Sequence, residues 1–390
     1  MWKYNLVMPL LGKAQRMKDA GYYGAKPLMM VTNHKNILEM GIDSIDTSEC
    51  RMIFIVRADQ PEVSEFIKKK WPEAVIVVSD KDTKGSLYSV ALAEEYIYSD
   101  FPLIVFNSDV FFAPKYVPKP EDFQDGLILT FKSNSPNYSY VASNSDGFVI
   151  RTAEKEVISH ESSVGLYCFK NGKSLIDYIS FAPITRNEAF VCPFYNILIE
   201  KGMKIRTKMV DKMLVAGTPE EYEFVRRYVF PHLVKKKFVL FSCHSGYTTK
   251  SKIKGILDKQ GLKYVDVGPS CKENCDYPDY VSLAAEYIKD GYFGIGSCMS
   301  GQGINIACNK EEGVISALVD DHFKTARAIE HNFANCISIP DSLNLDQLSL
   351  EFIIEAILKS SPDGSRHQVR LQKVIKKESL KCQKKLPSIE

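Results

Sequence analysis

No apolar run in the 390-residue chain approaches the roughly 20 residues that a membrane-spanning helix needs. No secretory leader is expected either: the stretch from Leu6 to Leu11 is too short for a signal-peptide core, and Pro9 and Gly12 interrupt it. There is no excess of one charge, since 50 Lys and Arg face 48 Asp and Glu for a net charge of +2. That balance, with 45% apolar residues, excludes a disordered chain and a whole-protein polyanion binder. Close cysteine pairs are also scarce. Of ten cysteines only Cys271 and Cys275 sit together, without the second pair or flanking histidine that would complete a zinc site. Free thiols fit a reducing compartment. The expectation is a soluble cytoplasmic protein with no membrane or nucleic-acid partner.

What the chain does contain is an alternation of short Val, Ile and Phe-rich runs with amphipathic stretches. Ile53 to Val56, Ala74 to Val78, Leu103 to Phe106, Leu127 to Phe131, Phe238 to Phe241 and Val314 to Val319 are too short for helices and read as buried strands. Helical patterns, such as Leu87 to Tyr98 and Thr325 to Asn332, lie between them. The class is α/β, with largely parallel sheets expected. At roughly 100 to 200 residues per domain the length implies more than one core. A helical segment opening at Gly217-Thr218-Pro219 runs out at Pro231, and Lys235-Lys236-Lys237 precedes a fresh buried strand. This divides the chain into domains at residues 1–230 and 236–380 and a tail at 381–390; the basic stretch from Arg370 to Lys385 reads as a solvated helix face, and helix residues facing a phosphate have the same pattern.

In the first domain, the strand Tyr4 to Met8 runs into Pro9-Leu10-Leu11-Gly12-Lys13-Ala14-Gln15-Arg16, with Lys26-Pro27 beyond. A glycine in a loop leaving a strand lets backbone N–H groups approach phosphate, and Arg16 and Lys26 can neutralise it; a plain turn with surface cations has the same pattern. Leu103 to Ser108 ends on Asp109, where a metal-bound phosphate sits in α/β sheets. In order with Gly85, Glu154-Lys155-Glu156, Val164-Gly165-Leu166-Tyr167, Cys192-Pro193-Phe194-Tyr195-Asn196 and Gly217-Thr218-Pro219-Glu220, these pieces resemble the sugar-phosphate nucleotidyltransferase family, over residues 3–228. The resemblance implies a GT-A-like fold and a nucleoside triphosphate over Leu11, Gly12 and Lys13, with Gly85 bordering the base. It also implies attack by a sugar phosphate on the α-phosphorus, Mg²⁺ on Asp109, Arg16 and Lys26 as catalytic cations, and Glu154, Lys155 and Gly165 on the sugar phosphate. Ala14 stands where many members have a second loop glycine, and Val215-Ala216 where many carry a second metal-binding Asp.

In the second domain, a strand ends at Cys298 and leads through Met299-Ser300-Gly301-Gln302-Gly303 into a helix. Cys298 then faces backbone N–H groups, which lower a thiol pKa and can hold an oxyanion; a buried cysteine in a tight turn is the alternative. This loop is similar to ribose-5-phosphate isomerase type B and the galactose-6-phosphate isomerase subunits. So are Ser242-Cys243-His244-Ser245-Gly246-Tyr247, Asp276-Tyr277-Pro278, Glu330-His331-Asn332 with Asn335, and Gly364-Ser365-Arg366-His367-Gln368 with Arg370. The similarity implies a Rossmann-like three-layer α/β/α domain with a parallel sheet and no metal or cofactor. In it His331 opens the sugar ring and Cys298 as thiolate moves the proton. Ser300 and the backbone of Gly301, Gly303 and Asn305 hold the enediolate, Asn332 lies at the substrate, and His244, Arg366 and Arg370 take its phosphate. A homodimer or higher homo-oligomer through this half, with shared active sites, is implied as well. Cys243 replaces the usual Asp of the first loop and Ser342 an expected arginine. The expected function is a bifunctional enzyme of activated-sugar synthesis. The alternative is a transferase whose second half is inactive and serves for dimerisation or sugar-phosphate sensing.

Overall fold

The computed structural model describes residues 2–32, 35–185, 187–229, 236–363 and 367–375. The chain divides into two compact units, Met1–Tyr222 and Glu223–Glu390. Among the described residues no helix is long and apolar enough to cross a membrane.

The first unit is built on one sheet. Its strands are β1 (Tyr4–Leu10), β2 (Cys50–Arg57), β3 (Val75–Ser79), β4 (Leu103–Phe106), β6 (Gly126–Lys132), β9 (Glu161–Phe169) and β10 (Arg206–Met209), in the spatial order β10-β6-β9-β4-β1-β2-β3. A hairpin of β7 (Ser139–Ser143) and β8 (Val149–Glu154) continues from β9, and β5 (Val110–Ala113) pairs with β11 (Lys212–Val215) in a separate antiparallel ribbon. Side chains alternate between faces along a strand. Leu6, Met8 and Leu10 enter one core with Phe54 and Phe106, while Val7 joins Ile53, Ile55 and Val105 in the other. Covering both faces explains the largely apolar runs of β1, β2, β4 and β6.

The expected parallel arrangement holds for β1 to β4 and for β6 with β10. The sheet is nevertheless mixed, because β9 runs antiparallel to both β4 and β6. The pattern from Leu87 to Tyr98 is two helices, Ser86–Ala91 and Glu94–Ile97, not one.

The second unit has a wholly parallel sheet of β12 (Phe238–Ser242), β13 (Tyr264–Asp266), β14 (Phe293–Cys298), β15 (Ser316–Leu318) and β16 (Cys336–Pro340), ordered β13-β12-β14-β16-β15. Helices Tyr247–Lys259, Tyr277–Lys289, Gln302–Cys308, His322–Asn332 and Gln347–Lys359 connect or follow these strands. The chain goes from β12 to one side and then crosses to β14 on the other. That reversal opens a crevice between the carboxyl ends of β12 and β14, the usual ligand position in such sheets.

Candidate functional site

In the first unit the ribbon assembles the acidic centre. Asp109 stands between the ends of β4 and β5, and the pairing of Val110 with Val215 carries Gly217 alongside it. The Lys26 ammonium lies 2.7 Å from Asp109 Oδ2 and donates to the Gly217 carbonyl at 3.1 Å. Burial opposes a charge on Asp109, but the adjacent Lys26 outweighs it and holds the carboxyl below its ordinary value.

Glu221 belongs to the same cluster, and sequence reasoning missed it. Its Oε2 accepts from the N–H groups of Gly217 and Thr218 at 3.1 and 3.0 Å, while its own N–H donates to Thr218 Oγ1. The Thr218-Pro219-Glu220-Glu221 spacing is that of a capping box, a signal that was available. Burial pushes the Glu221 carboxyl up, with the Asp109 charge adding to it and the two N–H donors opposing.

The other expected groups surround this centre separately. Gly12 is exposed, and Ala14 adopts a left-handed conformation at φ 51°. That backbone costs an alanine about 1–2 kcal/mol and a glycine almost nothing, so Ala14 strains the loop. Lys13 pairs with Asp82 at 2.6 Å, and Arg57 reaches Asp82 and the Leu11 carbonyl, both at 3.4 Å. Arg16 is exposed on the following short helix. The Gly165 carbonyl accepts from the Asn107 N–H, and Gly85 packs on the backbone of Ala189. Glu154 accepts from Ser139 Oγ and lies 3.9 Å from the Lys155 ammonium. For a hard cation the fit is good: Asp109 offers a carboxylate kept ionised and partly open, and a magnesium site needs only one or two such oxygens beside substrate phosphates.

In the second unit the crevice holds two thiols. Ser242 and Ser297 are paired across β12 and β14, so Cys243 and Cys298 are the next residues of adjacent parallel strands. Both side chains belong to the same buried cluster. The approach depends on Gly246, where a Cβ would collide with the Ser297 carbonyl. Gly301 takes a left-handed φ of 71° as the Cys298 loop turns, and Ser300 Oγ accepts from the Gln302 N–H at 3.3 Å. Gly303 packs against Tyr277, and His244 Nδ1 faces the Cys275 N–H at 3.4 Å. Two buried polar atoms at these strand and helix ends, Ser242 Oγ and Asn305 Oδ1, have no hydrogen-bond partner among the described residues.

The two thiols are coupled. The neighbouring Cys243 thiol and burial push Cys298 up, against the N–H groups of Ile304 and Gly301. The neighbouring Cys298 thiol and the N–H groups of Gly246, Ser245 and Met299 pull Cys243 down, against burial.

His331 lies elsewhere in the unit. It occupies the last turn of helix His322–Asn332, which runs back from the carboxyl end of β15 to the amino end of β16. A strand of six residues such as β14 spans about 20 Å, so His331 and Cys298 of one copy sit at opposite edges of the sheet. His331 Nε2 is 3.2 Å from Arg327 and 3.4 Å from Asp363, and its ring stacks on His367 at 4.2 Å. His331, Asp363 and His367 bring their ligating atoms within 4.8 Å of one another. The two rings are only 8° from parallel, so their nitrogen lone pairs run side by side and do not converge on one ion. Asn332 and Arg370 belong to this second edge by topology, and Arg366 lies outside the described residues.

Comparison with known proteins identifies both halves. The nucleotidyl transferase family profile matches residues 11–222, and the ribose/galactose isomerase profile residues 238–374. A nucleoside-diphosphate-sugar pyrophosphorylase from Vibrio cholerae superposes with a TM-score of 0.51 at 26% identity, covering 57% of this chain and 99% of that one. A probable ribose-5-phosphate isomerase B of Mycoplasma genitalium is 36% identical over 141 residues, 35% of this chain and 92% of that protein. Ribose-5-phosphate isomerase B of Escherichia coli is 30% identical over 141 residues, 35% of this chain and 94% of its own. The chain therefore belongs to the nucleotidyl transferase family in its N-terminal unit and to the ribose/galactose isomerase family in its C-terminal unit.

Proposed function

We propose that the chain is a bifunctional enzyme of activated-sugar synthesis. The C-terminal unit interconverts an aldose and a ketose phosphate, and the N-terminal unit transfers a nucleotidyl group from a nucleoside triphosphate to a sugar phosphate, releasing pyrophosphate. The observation that carries this is the presence of reactive side chains where ligands bind in both sheets: Asp109 with Lys26 beyond β4, and Cys298 at the end of β14. The free thiols of the described cysteines support a reducing, cytoplasmic setting.

In the transferase, Asp109 would hold Mg²⁺, which supplies charge neutralisation on the triphosphate. Lys26 turns from Asp109 to the phosphates, Arg16 joins it, and the loop of Leu11, Gly12 and Lys13 carries the nucleotide with Gly85 at its base. Glu154, Lys155 and Gly165 orient the sugar phosphate so that its oxygen meets the α-phosphorus in line; positioning and charge do most of the work. In the isomerase, His331 opens the sugar ring, and the thiol site takes the proton from the carbon beside the carbonyl. Ser300 and the backbone N–H groups from Gly301 to Asn305 stabilise the enediolate. Because one copy holds Cys298 and His331 at opposite edges, a complete site takes His331 from a second copy, and a homodimer through the C-terminal unit follows.

The test supplies only an aldose or ketose phosphate with each of the four nucleoside triphosphates. Wild type is expected to release pyrophosphate and form a nucleotide sugar, while Cys298→Ala does so only when given the isomerised sugar. Equal product from both would show that the halves work independently. Failure of wild type to isomerise any pentose or hexose phosphate would leave the second unit as a dimerisation or sensing module. Isomerases of this type leave the phosphate on a terminal carbon, whereas most such transferases use a 1-phosphate. Should both single reactions proceed without coupling, a mutase or reductase step stands between them.

A further inference from the structure

Between β13 and the helix Tyr277–Lys289 the chain passes through an irregular loop, residues 267–276, at the edge of the crevice. A charged side chain is buried against it. Lys250, in the first turn of helix Tyr247–Lys259 and only 3% exposed, donates from Nζ to the Pro269 carbonyl at 2.7 Å and to Asp266 Oδ1 at 2.8 Å. The same Oδ1 accepts from the Gly268 N–H at 3.1 Å. The fit is close: a Cβ on Gly268 would lie 2.9 Å from the Lys250 ammonium and 3.0 Å from the Ser242 nitrogen. At the far end of the loop the Cys275 N–H donates to His244 Nδ1 at 3.4 Å. We propose that Lys250 is a positioning residue of the isomerase crevice: it ties down the 267–276 loop, which keeps the Cys275 amide on His244 and so presents the His244 Nε2–H to the substrate phosphate. This rests on the isomerase reading above.

A backbone amide can only donate, so the ring nitrogen that it meets accepts. With Nδ1 accepting, the imidazole proton sits on Nε2, the nitrogen left for a ligand, and a donor there is what a phosphate oxygen requires. The amide fixes the direction of the ring as well as its tautomer. Were the loop to lift, the ring could turn and either nitrogen could carry the proton, so part of the population would meet phosphate with a lone pair.

What keeps the loop down is the buried ammonium. The Val267 N–H, held by the Leu240 carbonyl, anchors the first residue, and Lys250 extends that anchorage to Pro269. Fixing irregular backbone costs conformational entropy, and a charge-assisted bond offsets more of it than a neutral one. Burying an ammonium is itself unfavourable unless acceptors meet it; those that Lys250 finds, Pro269 O and Asp266, belong to the loop and to the strand end before it.

The test uses the full-length protein labelled with ¹⁵N-histidine. In wild type, His244 Nδ1 should resonate as an acceptor nitrogen and Nε2 as a protonated one, the signals being assigned by their loss in His244→Asn. Lys250→Met removes the ammonium and keeps the apolar stem. Asp266 stays paired with Lys254 at 3.0 Å, so no bare carboxylate is left behind. In this variant the two tautomers should mix, and inorganic phosphate titrated against the His244 signals should bind about tenfold more weakly, the scale of one hydrogen bond to a charged group. KM for a pentose phosphate should rise by the same factor, with a much smaller change in kcat, because the thiols are untouched. Gly268→Ala pushes the same loop off Lys250 and Ser242 and should have the same effects, whether or not Lys250→Met folds. A protonated Nδ1 in wild type would overturn the proposal without any variant. So would wild-type His244 signals in both variants, or a tautomer shift with unchanged phosphate affinity. The expected tautomer in a wild type that isomerises no sugar phosphate would instead remove the isomerase reading and leave the loop assignment standing.

Discussion

Asp109→Asn is expected to lower Mg²⁺-dependent pyrophosphate release by about a thousandfold, the scale on which a single electrostatic contributor to a transition state acts. The amide keeps the shape of the carboxylate and can still accept from Lys26, now 2.7 Å away, so the fold is expected to survive. What disappears is the anionic oxygen for a cation. A continuous pyrophosphate assay across a Mg²⁺ titration checks it: wild-type turnover in the variant would refute the assignment, and isomerase turnover should not change. A stability signature accompanies the kinetic one. Asp109 is held below its ordinary value in the folded state, so its ionisation favours folding above about pH 4. That contribution vanishes as the pH falls through the native value, and the stability difference between wild type and Asp109→Asn should shrink on the acid side.

Cys298→Ala should slow solvent exchange of the substrate C2 proton by roughly 10²–10⁴-fold, the range usual for a positioned proton-transfer group. The side chain is 6% exposed and packs with Val281, Ile304 and Cys308, so losing one sulfur leaves a small cavity worth about 1 kcal/mol. Folding should therefore persist while exchange stops. Incubation in deuterated water with mass analysis of recovered sugar phosphate decides the matter. Exchange at the wild-type rate would show that the proton moves through some other group.

Much of the architecture was legible because burial on two faces leaves an apolar signature: β2, β4, β6 and β12 lie where their Val, Ile and Phe runs placed them. The same signature carries no direction, so β9 gave no sign that it runs backwards between β4 and β6. The break at Leu92–Ala93 was hidden for a related reason, since the apolar spacing of the two short helices continues across it. At the sites, Asp109 and Cys298 could be found because one follows a buried strand and the other closes one. Their contacts with the neighbouring groups could not. Glu221 reaches Asp109 only through the pairing of β5 with β11, and Cys243 reaches Cys298 only through the register of β12 with β14. Both are contacts between distant segments, to which local patterns are blind. For Ala14 the sequence showed the extra methyl, but the left-handed backbone that makes it costly is a property of the folded loop.

In the proposed dimer, the separation of Cys298 from His331 along one sheet would give each polypeptide two half-sites and no whole one. Subunits lacking the thiol and subunits lacking the imidazole are then each inert as pure populations. In a mixed dimer one crevice inherits both defects and the other inherits neither. Random pairing of equal amounts would return about a quarter of the wild-type isomerase sites, a complementation between two dead proteins. On this proposal the sheet would make isomerisation a property of the pair of chains and sensitive to dilution.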